Sequence, residues 1–134
     1  MQQQVASSLA GLSSVSANSL PPAGLKLCEV TAIPDGGCVG YRFEDSEQPG
    51  VMICRSGDQV WAYMNICPHL SLPLDSRRGV FMMDGPDEVM CAFHCAVFRI
   101  SDGLCVRGPA RTLHLDAVPI EIIDGYVVVK EMQL

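Results

Sequence analysis

From residue 25 onward the chain is cut into strand-like runs of four to six residues by glycine, proline and aspartate. The first four runs are 25 to 30 (LKLCEV), 38 to 43 (CVGYRF), 51 to 55 (VMICR) and 59 to 64 (QVWAYM), set apart by PDGG, EDSEQPG and SGD. Runs this short are below the roughly 10–12 residues of an ordinary helix, and their β-branched and aromatic content suits strands. They read as an antiparallel meander. Further on, GVFMM and EVMCA flank DGPD, VFRI and LCVR flank SDG, and VPIEII and YVVVK flank DG. Each pair reads as a hairpin, because Asp-Gly turns accept the positive φ that tight connections need. No long stretch of this region repeats every 3.6 residues, so the expected fold class is all-β, an antiparallel sandwich or barrel. Chemistry in such a fold sits on the loops between strands.

Residues 1–24 differ in kind: they carry no charged side chain and close on Pro21, Pro22 and Gly24. They are expected to form a leader or arm outside a single domain at 25–134, or a contact segment, since Leu9, Leu12, Val15 and Leu20 make a weak apolar stripe. With 134 residues and 49% hydrophobic content the chain can build one modest core. Nine basic against fifteen acidic residues, net −6, argue against nucleic acid and anionic membrane as partners. There is no run of 18 apolar residues and no secretory-signal pattern at the N-terminus, so the expected location is cytoplasmic. Seven cysteines, an odd number in such a chain, point to thiols and metal ligands rather than a disulfide framework.

Two stretches concentrate those ligands. Cys67-Pro68-His69 and Cys91-Ala92-Phe93-His94 form C-x-H and C-x-x-H separated by 21 residues. Two thiolates and two imidazoles can make a tetrahedral zinc site, although zinc knuckles tend to pair like ligands. Here each loop offers one sulfur and one nitrogen, which suits a 2Fe-2S cluster whose irons have different ligands. Cys28, Cys38, Cys54 and Cys105 lie in strand runs and are expected to act as small buried side chains. Cys95 adjoins a ligand but would be a fifth. His114, alternating with Leu113 and Leu115, is expected to be an exposed strand residue.

From Leu25 to the C-terminus the chain resembles the Rieske iron-sulfur family. NICPH at 65–69 resembles the family's first cluster loop, CAFHCAVF at 91–98 its second, and GPARTL at 108–113 the proline-containing segment that covers the cluster. The resemblance implies a Rieske-like sandwich or barrel with two cluster-binding loops from a small hairpin subdomain. It implies one 2Fe-2S cluster, with Cys67 and Cys91 on the inner iron and His69 and His94 on the outer iron near the surface. Leu70, Leu72, Pro73 and Leu74 would form an apolar collar around it, and Pro109 would cap another side. The sequence departs from the family at Ser71 and Cys95, where glycine is usual, and the ligand pairs are spaced further apart, with the MMDGPDEV hairpin tip as the extra length.

Rieske domains also open larger oxygenases, whose second domain holds iron through two histidines and a carboxylate. Of the three histidines here only His114 is left after the cluster pair, and no glycine-rich phosphate loop opens a helix. The expected function is therefore one-electron transfer without an enzymatic site of its own. The chain would act as a ferredoxin, monomeric or weakly oligomeric, between a reductase and a terminal oxygenase or similar acceptor. A Rieske-fold subunit or regulatory module of a larger redox complex, and a zinc-binding structural module, are the alternatives. High-potential family members are implied to carry a serine and a tyrosine hydroxyl where this chain has Ala96 and Phe98, and a disulfide where it has Leu72 and Phe93. A low reduction potential is expected.

Overall fold

The run VMIC at 51–54 is apolar on four successive residues, the pattern of a strand covered on both faces. In the computed structural model, which describes residues 21–43, 49–68, 72–75, 77, 79–92, 95–109 and 112–131, that strand lies at the middle of the fold. Residues 1–20 of the expected 1–24 arm and the positions His69, Leu70, Ser71, Arg78, Phe93, His94 and Arg111 lie outside the described residues. All ten runs read as strands contain one: β1 (Lys26–Glu29), β2 (Cys38–Tyr41), β3 (Val51–Ser56), β4 (Gln59–Met64), β5 (Met82–Met83), β6 (Glu88–Met90), β7 (Val97–Arg99), β8 (Cys105–Arg107), β9 (Ile120–Ile123) and β10 (Tyr126–Val129). Among the described residues there is no α-helix.

The strands form three antiparallel sheets in the orders β1-β10-β9, β2-β3-β4 and β5-β6-β7-β8. The three later hairpins pair as the sequence suggests, whereas the meander holds only for β2, β3 and β4. β1 instead turns at Val30–Ala32 into one 3-10 turn and pairs with β10, Glu29 opposite Tyr126. The Val30 N–H donates to the Gly125 carbonyl at 2.9 Å, and Ile33 is fully buried just beyond. Alternation tells which face of a strand is apolar; it does not tell which strand lies alongside.

Because successive side chains leave a strand on opposite faces, β3 serves two cores at once. Val51 and Ile53 join Leu27, Ile33, Val127 and Val129 in the core shared with the β1-β10-β9 sheet. Met52 and Cys54 join Val89, Phe98, Ile100 and Cys105 in the core shared with the β5-β6-β7-β8 sheet. β4 divides in the same way, Ala62 and Met64 to the first core and Tyr63 to the second. The middle sheet is thus the common wall, and Tyr63 fastens it to the far sheet by donating its hydroxyl to the Ile100 carbonyl at 2.7 Å.

The segment after β8 closes the structure. It pairs with the 103–105 stretch through Cys105 N–H to Leu113 carbonyl and Leu115 N–H to Gly103 carbonyl, both at 2.9 Å. It then moves to the free edge of β4 through Met64 N–H to Asp116 carbonyl and Val118 N–H to Ala62 carbonyl, both at 2.8 Å. On the outside, the DGPD tip between β5 and β6 is held by Arg107 of β8, which bonds Asp84 and reaches Glu88 at 2.7 Å. These pairs are exposed and serve orientation more than stability. Since Ile53 is fully buried where the two outer layers depend on the middle one, Ile53→Ala should lower the unfolding free energy by about 2–5 kcal/mol, measured by urea denaturation.

Candidate metal centre

The first Cys/His stretch leaves the end of β4 and travels to β5. Cys67 is 1% exposed, and its N–H donates to the Leu72 carbonyl at 2.6 Å, so the loop folds back on itself. Its two ends are clamped by Asn65, a buried polar side chain. The Asn65 carbonyl oxygen accepts from the Leu74 N–H at 2.8 Å, and its amide donates to Asp75 Oδ1 at 2.9 Å. The other carboxylate oxygen of Asp75 accepts from the Gly79 N–H at 2.8 Å. Every member has a partner, so burying two polar side chains here is tolerated and fixes the loop's path.

The second stretch connects β6 to β7 within one sheet. Cys91, 1% exposed, donates its N–H to the Ala96 carbonyl at 2.7 Å, and Cys95 donates back to the Cys91 carbonyl at 3.0 Å. That turn requires φ of 59° at Cys95, the left-handed conformation in which glycine carries no penalty and a side chain costs about 1–2 kcal/mol. The chain thus keeps the glycine-type backbone and accepts the strain. Two contacts set this loop against its neighbours. Ala92 N–H donates to the Leu74 carbonyl of the first loop at 3.0 Å. Gly108, at φ +94°, lies so close that a Cβ there would come within 2.9 Å of Ala96 Cα.

The two thiol-bearing residues therefore share one apolar cluster with Leu74, Ala96 and Phe98, all fully buried. The two histidines of the pattern, His69 and His94, lie outside the described residues. Of the residues expected to form the apolar collar, Leu74 packs inward with the thiols. It is fully buried, because the Asn65 bond turns it inward, while Leu72, Pro73, Pro109 and Leu113 remain exposed. His114 is exposed, paired by its backbone with Leu104. Of the strand cysteines, Cys54 and Cys105 are buried, whereas Cys28 and Cys38 are half-buried. The Asn65–Asp75 clamp was not singled out by sequence reasoning. The sequence carries only the residue types, an amide at 65 and a carboxylate at 75 on either side of the Cys-Pro-His turn.

Residues 24–120 match the family model of the Rieske [2Fe-2S] domain, and the chain belongs to that family. Comparison with curated proteins finds no match. Among solved structures the chain is similar to the ferredoxin of Sphingomonas yanoikuyae B1, at 24% identity and a TM-score of 0.64 over 81% of this chain and 99% of that one. It is similar to the ferredoxin of carbazole 1,9a-dioxygenase from Nocardioides aromaticivorans IC177, at 22% identity and a TM-score of 0.62 over 83% of this chain and 100% of that one. The terminal oxygenase of carbazole 1,9a-dioxygenase from Novosphingobium sp. KA1 shares 14% identity at a TM-score of 0.67 over 85% of this chain, but only 31% of its own length. At these identities the likeness is one of fold.

A Rieske domain holds one 2Fe-2S cluster, which sets the zinc alternative aside. The described half of the site fits that group. Soft thiol donors from two loops meet in a dry apolar core, the loops are bonded to each other, and a glycine keeps the third segment tight against the second. No helix among the described residues is long and apolar enough to cross a membrane. Removing the amide in Asn65→Ala leaves the Leu74 N–H and Asp75 Oδ1 without these partners in the interior, Asp75 Oδ2 keeping its bond from Gly79. Stability should fall by about 1–3 kcal/mol, read by denaturant unfolding, with faster bleaching of the visible absorbance than in the parent.

Proposed function

We propose that this chain is a ferredoxin-type one-electron carrier in which Cys67 and Cys91 hold one iron and His69 and His94 the other. The observation that carries the reading is the joint burial of Cys67 and Cys91, from two separate loops, in a single apolar cluster. The alternation of one cysteine and one histidine per loop supports it, because each loop then reaches both irons. When bound, the cluster supplies a site that takes up and releases one electron. Leu74, Ala96 and Phe98 keep water from the sulfur side. Leu72, Pro73, Pro109 and Leu113 are exposed apolar residues on the segments next to the thiol-bearing loops and would meet a redox partner.

The partners in this reading are a reductase and a terminal oxygenase or similar acceptor, met in the cytoplasm by a monomer or weak oligomer. Support comes from the two ferredoxins matched over 99% and 100% of their length, against 31% for the oxygenase. The net charge of −6 favours encounter with basic surfaces, an effect on association rate more than on affinity. Residues 25–134 form the cluster domain and 1–24 an arm. The ligand assignment is tested by His69→Ala and His94→Ala, each expected to abolish the Rieske-type electron paramagnetic resonance signal of the reduced protein. A normal signal at full iron content in either variant would overturn it.

The reduction potential follows from what surrounds the sulfurs. Hydroxyl donors to cluster sulfur stabilise the reduced, more negative state, and Ala96 and Phe98 offer none although both are buried with the thiols. The potential should lie near the low end of the range of roughly −150 to +300 mV seen for Rieske centres. Ala96→Ser and Phe98→Tyr should each raise it by on the order of tens of millivolts, measured by protein-film voltammetry.

A further inference from the structure

On the face of the middle sheet that looks toward the thiol-bearing core, Cys38 of β2 sits directly opposite Cys54 of β3. The Cys38 thiol donates to the Cys54 sulfur at 2.9 Å, so the two side chains already point at each other. Their backbone setting is also the right one. Arg55 N–H donates to the Gly37 carbonyl, a bond between the residues flanking Cys54 and Cys38, which makes Cys38 and Cys54 themselves a non-hydrogen-bonded pair. Such pairs have Cα atoms about 4.5 Å apart, inside the window of about 4.4–6.8 Å that a disulfide spans. To bond, the sulfurs need only close to about 2.05 Å. Access is unequal: β2 is the edge strand and Cys38 is half-buried, while Cys54 is fully buried.

We propose that Cys38 and Cys54 are a reversible oxidation site, a vicinal dithiol that a small-molecule disulfide converts into a cross-strand disulfide. The Cys38 thiolate attacks one sulfur of oxidised glutathione, breaking its S–S bond and expelling one glutathione thiolate. The Cys54 sulfur then attacks Cys38 Sγ in the mixed disulfide and expels the second. Two protein thiols are oxidised to one disulfide, one glutathione disulfide is reduced to two thiols, and the two thiol protons pass to the departing glutathiones. Burial holds the Cys54 thiol in its protonated form, with Cys38 adding to the effect, so Cys38 is the first to react. In a reducing compartment the pair rests as the dithiol, and disulfides that do form there are transient and redox-sensing. Once formed, the bond ties the edge strand to the middle strand beneath the core that contains Cys67 and Cys91.

The test uses holoprotein equilibrated with oxidised and reduced glutathione at rising ratios, blocked with N-ethylmaleimide and mapped by mass spectrometry. The expected product is a peptide pair joined through Cys38 and Cys54, two hydrogens lighter than the dithiol form and released by dithiothreitol. Its appearance should raise the Tm of the parent, with no rise in Cys38→Ser, a substitution at the half-exposed edge. Cys54→Ala should leave Cys38 arrested as the glutathione mixed disulfide. Exposed Cys95 serves as the internal reference for oxidant delivery. If Cys38 and Cys54 both carry N-ethylmaleimide at ratios where Cys95 is glutathionylated, or if either links to a different cysteine, the assignment is overturned.

Discussion

Burial of β3 on both faces is the constraint from which the rest of the arrangement follows. Its alternating side chains supply two separate apolar cores, Val51 and Ile53 to one and Met52 and Cys54 to the other. Hence neither outer sheet can be removed without exposing one side of the strand to water. The same alternation continues in β4, whose Tyr63 crosses to the far sheet while Ala62 and Met64 face back. With no α-helix among the described residues, the domain gains its rigidity from that shared wall. The cluster core inherits it, because the first cysteine loop begins one residue after β4 ends.

The loops are then held by a small number of directed bonds rather than by bulk packing. Asn65 and Asp75 bring the two ends of the first loop together, and Ala92 joins the second loop to the first at Leu74. Gly108 seats the third segment against Ala96, at a distance that leaves no room for a Cβ. A redox site benefits from this, since an electron carrier whose surroundings change little on gaining charge has little reorganisation to undergo. The left-handed Cys95 shows the opposite side of the same design. The turn is demanded by its neighbours' hydrogen bonds, and the residue there conforms to it.

Sulfur is used in three different settings in one small domain. Cys67 and Cys91 are drawn into a dry core from loops, Cys105 lies buried in β8 as an apolar residue, and Cys38 faces Cys54 across a strand pair. The residue type is the same in each, and the difference is made by what stands opposite. For Cys105 that is its own strand, where its thiol donates to the Arg107 carbonyl at 3.1 Å. For Cys54 it is another thiol.

Most of the strand pattern could be read in advance, because glycine and aspartate at turns and period-two apolarity act locally and leave a mark on every short run. The two Cys/His stretches at 67–69 and 91–94 were equally visible, since those residue types are rare in combination. Partner choice was not. β1 joins β10 across nearly the whole domain, and Leu74 of the expected collar packs inside with the thiols, placements that no local pattern marks. The facing of Cys38 and Cys54 was equally hidden, as register between two strands depends on the turn and the packing rather than on either run alone. Sequence by itself thus determined the element types, the turn positions and the two Cys/His stretches between strands, all set by short-range sterics and residue identity. Only tertiary structure decided which strands share an edge, which loops meet in one core and which sulfurs face each other, because those depend on contacts between residues that the chain order keeps apart.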